Sequence, residues 1–418
     1  MAFLIKPHQE RCRELGISKL SHIPGVWSKD WKPVPEAMDY LIWKGTGRWA
    51  SGKVRSGYAD WTALSAASML AIGNDVTNFL DWCERRRLQW RDLSYSQLVD
   101  RYQGDMTSGK WSQINKGRSL SPSTVNRRML SVIDFLTFSA SRGLRPPFEV
   151  EYTEVPNPGI GHNSLAMQRD GKVRQHPSQL RLPTLKETSC WLEDLKLKHG
   201  ITPHLMAKTA VGIGLRAEEI LLLRVDQVPQ VPLGPAKTVN MTVCYGTKGG
   251  RGTNDPEKLG KSRIVRVPVD LIKELRGYIK VHRKLCLKQY RLKNPGSADP
   301  KELFLSKHTG EKLSYSRFYE LWRSSAQPFD HFSPHIGRHM WACYTLLDKI
   351  REEIELAVGA TGPIEALVKN IHTNLIETWI STQLGHVDSR TSEMYLHWVV
   401  EQFELQHHRE TWWDFLNG

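Results

Sequence analysis

Two short stretches near the C-terminal end carry side chains that could handle a phosphodiester. The first, HIGRH, places His335 and His339 on either side of Arg338. In the second, LGHVDSRTSEMY, His386 stands nine residues before Tyr395. A guanidinium grips phosphate oxygens bidentately, an imidazole moves protons near neutral pH, and a phenol attacks phosphorus once its neighbours favour the anion. The pattern indicates covalent phosphoryl transfer through a tyrosine, provided that further cations lie elsewhere.

Two such cations occur upstream. Arg216 lies in GLRAEEILLLR, and Lys248 lies in YGTKGGR between two strand-like runs. Two guanidiniums can clamp both non-bridging oxygens of a phosphodiester, and a lysine on a loop can protonate the oxygen that leaves. Each piece has an ordinary explanation as well, such as an ion pair between Arg216 and Glu219. The set together, in this order, favours a phosphoryl-transfer site.

The overall charge fits a polyanionic partner. The chain has 418 residues, with 58 Lys and Arg against 44 Asp and Glu, which gives a net charge of +14. A balance this basic suits nucleic acid or an acidic membrane surface. The apolar fraction of 40% is that of a globular protein of two or three domains. Charge alone also fits a basic protein that never meets nucleic acid.

The sequence argues against a membrane protein and against a metal site. No segment approaches the ~18 consecutive apolar residues of a membrane span, and the N-terminal apolar run is too short for a signal peptide. The six cysteines lie far apart without a CxxC pair, so neither zinc nor a disulfide framework is expected. We predict a cytoplasmic protein that needs no metal and no cofactor.

Composition and periodicity divide the chain into four parts. A segment rich in Trp, Pro and Gly precedes a helical domain; a Pro- and Gly-rich linker follows, and a mostly helical second half contains a small antiparallel sheet. The tryptophans of the first segment stand among Lys and Arg, so they either stack on bases or pack on the next domain. The predicted bounds are residues 1–55, 56–154, 155–183 and 184–418.

Three helices of the second part have start or stop signals. Asn74 is expected to cap a helix through DVTNFLDWCERRR, and Ser94 with Gln97 forms a capping box. Ser121 should cap the helix SPSTVNRRMLSVIDFLTFSAS, which Gly143 should end. Basic and polar residues near the start of that helix either contact DNA or form a solvated face: Asn126, Arg127 and Arg128.

The second half resembles the tyrosine recombinases, also called the phage integrase family, from about Leu185 to His397. GLRAEEILLLRVDQV matches the first family box, HIGRH the second, and QLGHVDSRTSEMYLH the third. The resemblance implies catalytic roles for Arg216, Lys248, His335, Arg338, His386 and the nucleophile Tyr395, with Glu219 and His339 in support. Lys261 is a second candidate for the lysine because its loop is unusually long. Lys261 and Arg251, in that loop, are also candidate DNA contacts.

The resemblance carries expectations about fold and partners. It implies a helical core-binding domain and an α+β catalytic domain that form a C-shaped clamp on double-stranded DNA at specific recombination sites. It further implies a homotetramer on DNA, alone or together with other recombinases or accessory proteins. With a prokaryotic host assumed, the expected location is the nucleoid. The implied reaction cuts and rejoins DNA through a 3'-phosphotyrosine, for integration, excision or transposition of a mobile element.

Two alternative functions stay open, and the sequence departs from the family pattern in one segment. The same residues serve a type IB topoisomerase or a resolvase, and a relative without activity would only bind DNA. His335 and His386 are 51 positions apart, which is longer than is usual in the family. The extra segment, DKIREEIELAVGATGPIEALVKNIHTN, is expected to form additional helix, and it is a surface insertion, a partner contact or a lid.

Overall fold

The computed structural model describes residues 2–50, 53–54, 63–111, 117–156, 165–175, 180–247, 261–357, 380–385, 394–395, 398–399 and 401–402. Over these ranges the chain is mainly helical, and its strands form two-stranded antiparallel sheets. The predicted fold class, mostly α with small antiparallel sheets, is confirmed. None of the helices in the described part is long and apolar enough to cross a membrane.

The chain divides into two compact units. Among the described residues, the first unit comprises residues up to 175 and the second comprises residues from 180 onward. The first unit contains the strands β1 (Phe3–Ile5), β2 (Gly25–Trp27), β3 (Trp49–Ala50), β4 (Lys53–Val54), β5 (Tyr152–Pro156) and β6 (Leu165–Arg169). Its helices are α1 (Gln9–Glu14), α2 (Pro35–Gly45), α3 (Ala66–Arg86), α4 (Tyr95–Gln97), α5 (Gly104–Thr107) and α6 (Pro122–Ser141).

Helices α3 and α6 form the centre of the first unit. The Ser121 hydroxyl accepts from the Thr124 amide at 3.4 Å, Pro122 occupies the first turn, and Gly143 follows α6 with φ +68°. The Ser94–Gln97 capping box is present as predicted. The cap predicted at Asn74 is wrong, because the helix starts eight residues earlier, at Ala66, behind Ser65. Buried apolar side chains run the length of this helix, so its first turns have a packing partner that the local signals do not show.

Residues 2–50 belong to the same hydrophobic core as these helices. Tyr40 and Trp49 are buried, and both donate to the carboxylate of Asp134 on α6, over 2.7 and 3.1 Å. Lys44 also pairs with Asp134, at 2.7 Å. The tryptophans were expected either to stack on bases or to pack on the next domain. Trp49 packs in the core of the helical domain, whereas Trp31 is 69% exposed.

The segment predicted as a linker, residues 155–183, instead begins inside a strand pair. Strand β5 pairs with β6 from Tyr152↔Arg169 to Pro156↔Leu165. The buried Arg169 guanidinium donates to Gln103 and to Asn126 on α6, each over 2.9 Å. Apolar periodicity does not predict this docking because the contacts that hold it are polar.

The second unit contains a helical layer around one strand pair. Strands β7 (Thr238–Val243) and β8 (Arg263–Pro268) pair from Thr238↔Pro268 to Val243↔Arg263. The helices are α7 (Leu185–His199), α8 (Ile201–Ile213), α9 (Ala217–Leu221), α10 (Val269–Lys280), α11 (His282–Lys293), α12 (Tyr315–Arg323), α13 (Pro334–Ala357) and α14 (Ser381–Leu384). The inward faces of β7 and β8 pack in one core with Trp191, Trp322 and Phe332.

A second, smaller cluster forms along α13. Its buried side chains are Ala342, Cys343, Leu346, Leu347, Ile350, Ile380, Leu384, Tyr395 and Val399. Helix α13 also packs on α8, so the HIGRH stretch at its start lies beside the end of α8. The predicted extra helix after HIGRH is present as the continuation of α13 to Ala357; residues 358–379 lie outside the described residues.

Candidate active site

The site is built around the buried guanidinium of Arg338. It lies on the first turns of α13 and is 1% exposed. It donates to the Gly214 carbonyl over 2.7 Å and also to the Leu384 carbonyl. Gly214 ends α8 with φ +69°, and a Cβ there would lie 2.7 Å from Leu384 and 2.9 Å from Trp341. Only glycine combines this left-handed backbone with such close packing.

Arg216 lies directly after that turn, at the N-terminal cap of α9. Its amide donates to Glu219 over 2.8 Å, and its guanidinium donates to Glu219 over 3.0 Å and to the Gly385 carbonyl over 3.5 Å. About a fifth of its side chain, 20%, is exposed. Arg216 and Arg338 thus both hold the C-terminal end of α14, at the adjacent carbonyls of Gly385 and Leu384.

Glu219 is fully buried and binds a second arginine that sequence reasoning missed. Arg263 donates to both carboxylate oxygens, each over 2.7 Å, and its Nε donates to the Gln383 carbonyl over 2.7 Å. Arg263 occupies the same face of β8 as Val265 and Val267, which are fully buried. An arginine in line with two buried valines was the signal that could have predicted a buried acidic partner.

The electrostatics follow from this burial. Burial by itself would raise the pKa of Glu219, but the hydrogen bonds and charge of Arg263, with those of Arg216, outweigh it and hold that pKa below its usual value. Burial, and then the charge of Arg216, lower the pKa of Arg338 from its usual value. Glu219 is therefore the counter-charge that allows the three guanidiniums to lie together.

Tyr395 lies on the α13 side of the site. Its side chain is fully buried, and its phenol oxygen is 2.9 Å from Nδ1 of His339. Burial raises the pKa of Tyr395, although the charges of Arg338 and Arg216 act in the opposite direction. His335 is exposed one turn before His339, and their ring centroids are 4.2 Å apart.

The structure thus brings together Arg216, Glu219, His335, Arg338, His339 and Tyr395 from the predicted site. Lys248, Arg251 and His386 lie outside the described residues. The chain that leads to Lys248 passes α9 closely: a Cβ on Gly246 would lie 2.6 Å from the Glu218 backbone. Lys261 is exposed two residues before Arg263. Both ends of the loop therefore start near Glu219, and the choice between the two lysines stays open.

The candidate DNA contacts of the first unit have structural partners. Asn126 is 7% exposed; it donates to the Val173 carbonyl over 2.8 Å and accepts from Arg169. Arg127 pairs with Asp75, and Arg128 donates to Asn78 over 3.1 Å. Asn126 therefore positions the β5–β6 hairpin, which its sequence context did not predict, while half of the Arg127 side chain, 50%, is exposed.

Among the described residues, no group of three His, Cys, Asp or Glu side chains is arranged to hold a metal ion. Those described near the site include Glu219, His335, His339 and Cys343, and Glu219 is paired with two arginines. What the described arrangement offers chemically is cations, imidazoles and one phenol.

The fold is that of the tyrosine recombinases. It is similar to the XerH site-specific recombinase bound to palindromic difH substrate in a post-cleavage complex, with a TM-score of 0.50 and 16% identity over 82% of this chain and 80% of that one. A Tn1549 transposon integrase complex with circular intermediate DNA aligns with a TM-score of 0.44 and 12% identity over 86% and 94%.

The sequence is similar to a member of the same class. Tyrosine recombinase XerC of Roseiflexus castenholzii (strain DSM 13941 / HLO8) is 23% identical over 339 residues, which cover 80% of this chain and 88% of the relative. No family model matches the chain. Fold and sequence together confirm the resemblance to the tyrosine recombinases that the three boxes indicate.

Proposed function

We propose that this chain is a site-specific DNA recombinase that cuts and rejoins strands through a 3'-phosphotyrosine on Tyr395. One observation carries the proposal: the fold gathers the phenol of Tyr395, the guanidiniums of Arg216 and Arg338, and His339 at one place, although they are distant in sequence. The similarity to XerC and to the XerH complex supports it.

The proposed reaction is an in-line exchange at phosphorus. Arg216 and Arg338 bind the non-bridging oxygens and stabilise the charge that develops there. The oxygen of Tyr395 forms the new bond while the bond to O5' breaks, and Lys248 or Lys261 gives O5' its proton. His335 and His386 assist proton movement. The phosphotyrosine bond keeps the phosphodiester energy, so a 5'-hydroxyl from another strand can reverse the step without a cofactor.

Access to the site requires a local movement. Arg338 and Tyr395 are both buried, and the carbonyls of Leu384 and Gly385 occupy the guanidiniums that would bind phosphate. A phosphate can replace these carbonyls only if the backbone at the C-terminal end of α14 shifts. Because two anionic oxygens make stronger charge-assisted hydrogen bonds than two carbonyls, DNA binding itself can drive that shift.

Arg216 provides a test of the phosphate clamp. We expect Arg216→Met to lower the rate of covalent adduct formation by about 10²–10³, the usual loss for one well-placed donor in a transition state. The adduct is quantified on denaturing gels, with nicked duplexes tiled across the DNA that flanks the gene. Arg317→Met removes the same charge from an exposed ion pair with Glu320 on α12, and it should leave the rate unchanged. A full rate in Arg216→Met would contradict the clamp.

Duplex DNA is the partner that the charge of the chain favours. With a net charge of +14, we expect the logarithm of DNA affinity to fall linearly with the logarithm of salt concentration, because bound cations on DNA are released. Fluorescence anisotropy with a labelled duplex measures the slope. A flat response between about 50 and 200 mM salt argues against phosphate contacts as the main source of affinity.

The biological reaction is decided by substrate geometry. A recombinase exchanges strands between paired sites, whereas a type IB topoisomerase relaxes supercoiled DNA of any sequence. Incubation with a supercoiled plasmid that carries two copies of the flanking DNA distinguishes these reactions: recombinant circles support the proposal, and relaxation of a plasmid without sites favours the alternative. We extend the proposal to four protomers per synapse, which the mass of the complex on paired sites tests.

A further inference from the structure

We propose that His339 accepts the proton of Tyr395 as the phenol attacks phosphorus. This inference rests on the proposed function and deepens it, since it assigns the proton acceptor of the nucleophile. It begins from the 2.9 Å separation of His339 Nδ1 and the phenol oxygen, which lies within the reach required of a general base.

The surroundings of the pair favour direct transfer. Tyr395 is fully buried and His339 is 8% exposed, so bulk water has little access to the proton. His339 follows Arg338 on the same helix, which fixes the imidazole relative to the guanidinium that would bind the phosphate. The proton acceptor and the clamp arginine Arg338 thus lie on one helix, and the nucleophile contacts that helix through His339.

A buried phenol needs such an acceptor. Burial raises the pKa of Tyr395, and the Cys343 thiol raises it further, while Arg338 and Arg216 lower it. The phenol is consequently protonated at neutral pH and must lose its proton during attack. A neutral imidazole, ordinarily with a pKa of about 6.5, is suited to take it near neutral pH.

The step balances. The phenol oxygen gains the bond to phosphorus, the bond from phosphorus to O5' breaks, and the phenol proton moves to His339 Nδ1. O5' receives its proton from the loop lysine. In the reverse step, the attacking 5'-hydroxyl returns its proton to that lysine, and the imidazolium of His339 returns its own to the departing phenol.

Two substitutions separate proton transfer from positioning. In His339→Asn, the amide oxygen can occupy the place of Nδ1 and accept the hydrogen bond, but it cannot take the proton at neutral pH. We expect adduct formation on the tiled nicked duplexes to fall by about 10²–10⁴ in both His339→Asn and His339→Ala. A near-normal rate in His339→Asn together with a low rate in His339→Ala would overturn the proposal in favour of positioning.

A sulfur substrate separates the base from the acid. When sulfur replaces the bridging O5', the leaving group is a thiolate, which needs no proton because thiols are much stronger acids than alcohols. Sulfur should therefore restore cleavage in a variant of the catalytic lysine but leave His339→Asn slow. If the sulfur substrate restored cleavage by His339→Asn, His339 would be assigned to protonation of the leaving group, which would overturn the proposal. His204→Asn is the matched control, since His204 Nδ1 bonds the Leu192 carbonyl at 2.9 Å outside the site.

The pH dependence of the rate of adduct formation provides an independent test of His339 as the proton acceptor. We expect the wild-type rate to rise with pH until His339 is neutral and then to level, and we expect His339→Asn to lose that rise. Among the described residues, the other charged or titratable groups near the pair include His335, Cys343, Arg216 and Arg338. An unchanged rise in His339→Asn would assign the titration to another group, such as His335, and contradict the proposal.

A measurement on the wild-type protein covers the case in which the variants fail to fold. Nitrogen NMR of histidine-labelled protein should show His339 Nδ1 without a proton, accepting from Tyr395. A protonated Nδ1, donating to the phenol oxygen, would overturn the assignment. The proposed function is tested separately. A covalent adduct that persists in Tyr395→Phe would contradict the assignment of Tyr395 as nucleophile, whereas normal cleavage in His339→Asn would contradict only the assignment of His339 as general base.

Discussion

Replacement of Tyr395 by phenylalanine is expected to abolish the covalent protein–DNA adduct and to leave DNA affinity within about threefold of wild type. The substitution removes the attacking oxygen, and a phenyl ring has no atom that can form the bond to phosphorus. Because the phenol is buried beside His339, it contributes little to binding DNA before the reaction. Adduct formation is read from denaturing gels, and affinity from anisotropy.

Tyr344→Phe is the matched control. Tyr344 lies on α13, its hydroxyl donates to the Pro183 carbonyl over 2.9 Å, and its ring packs edge-on against Trp398. It therefore loses a hydroxyl from the same helical region without touching the proposed chemistry, and the adduct should form as in wild type. Equal loss of the adduct in both variants would mean that the effect of Tyr395→Phe is one of folding.

Glu219→Gln is expected to lower the free energy of unfolding of the second unit by about 3–5 kcal/mol, as for other broken buried ion pairs. Glu219 is fully buried and receives two hydrogen bonds from the Arg263 guanidinium, itself only 9% exposed. A neutral amide leaves Arg263 and Arg216 without their counter-charge. Chemical denaturation measures the loss, and Glu218→Gln, the exposed neighbour on α9, should change stability by less than about 0.5 kcal/mol.

Two further measurements test the same ion pair. Glu219→Gln combined with Arg263→Met should be less destabilising than the sum of the single changes, since the second change removes the uncompensated charge. The pKa of Glu219 is lowered in the folded state, so its contribution is present above the ordinary glutamate pKa of about 4.3 and is lost as pH falls through the folded pKa. Strict additivity, or no loss of stability in Glu219→Gln, would contradict this account.

The sequence predicted those parts of the fold that local signals determine. Ser121, Pro122 and Gly143 bound α6 as expected because caps and breakers act within one turn of their own position. The true start of α3 at Ala66 was missed, since its first turns are stabilised by packing on distant residues. Likewise, the break between α10 and α11 at Val281 has no glycine or proline at that position to mark it.

In the active site, too, local sequence motifs predicted some residues, whereas the roles of others depend on long-range contacts. The residue types and order of the boxes predicted Arg216, Arg338 and Tyr395, and the structure brings them together. The role of Arg263 could not be predicted from the boxes, because it depends on the register between β7 and β8 and on the approach of α14. The contact of His339 with Tyr395 is also long-range, and it turns a residue expected only to support the site into the proposed base.

Mass spectrometry can show directly whether Tyr395 forms the covalent bond to DNA, by mapping the residue to which the nucleotide is attached. The adduct formed on a nicked duplex from the flanking DNA is digested with protease and nuclease, and the peptide that carries the remaining nucleotide is sequenced. We expect a 3'-linked nucleotide on Tyr395. A nucleotide attached to any other residue, or linked through a 5'-phosphate, would contradict it.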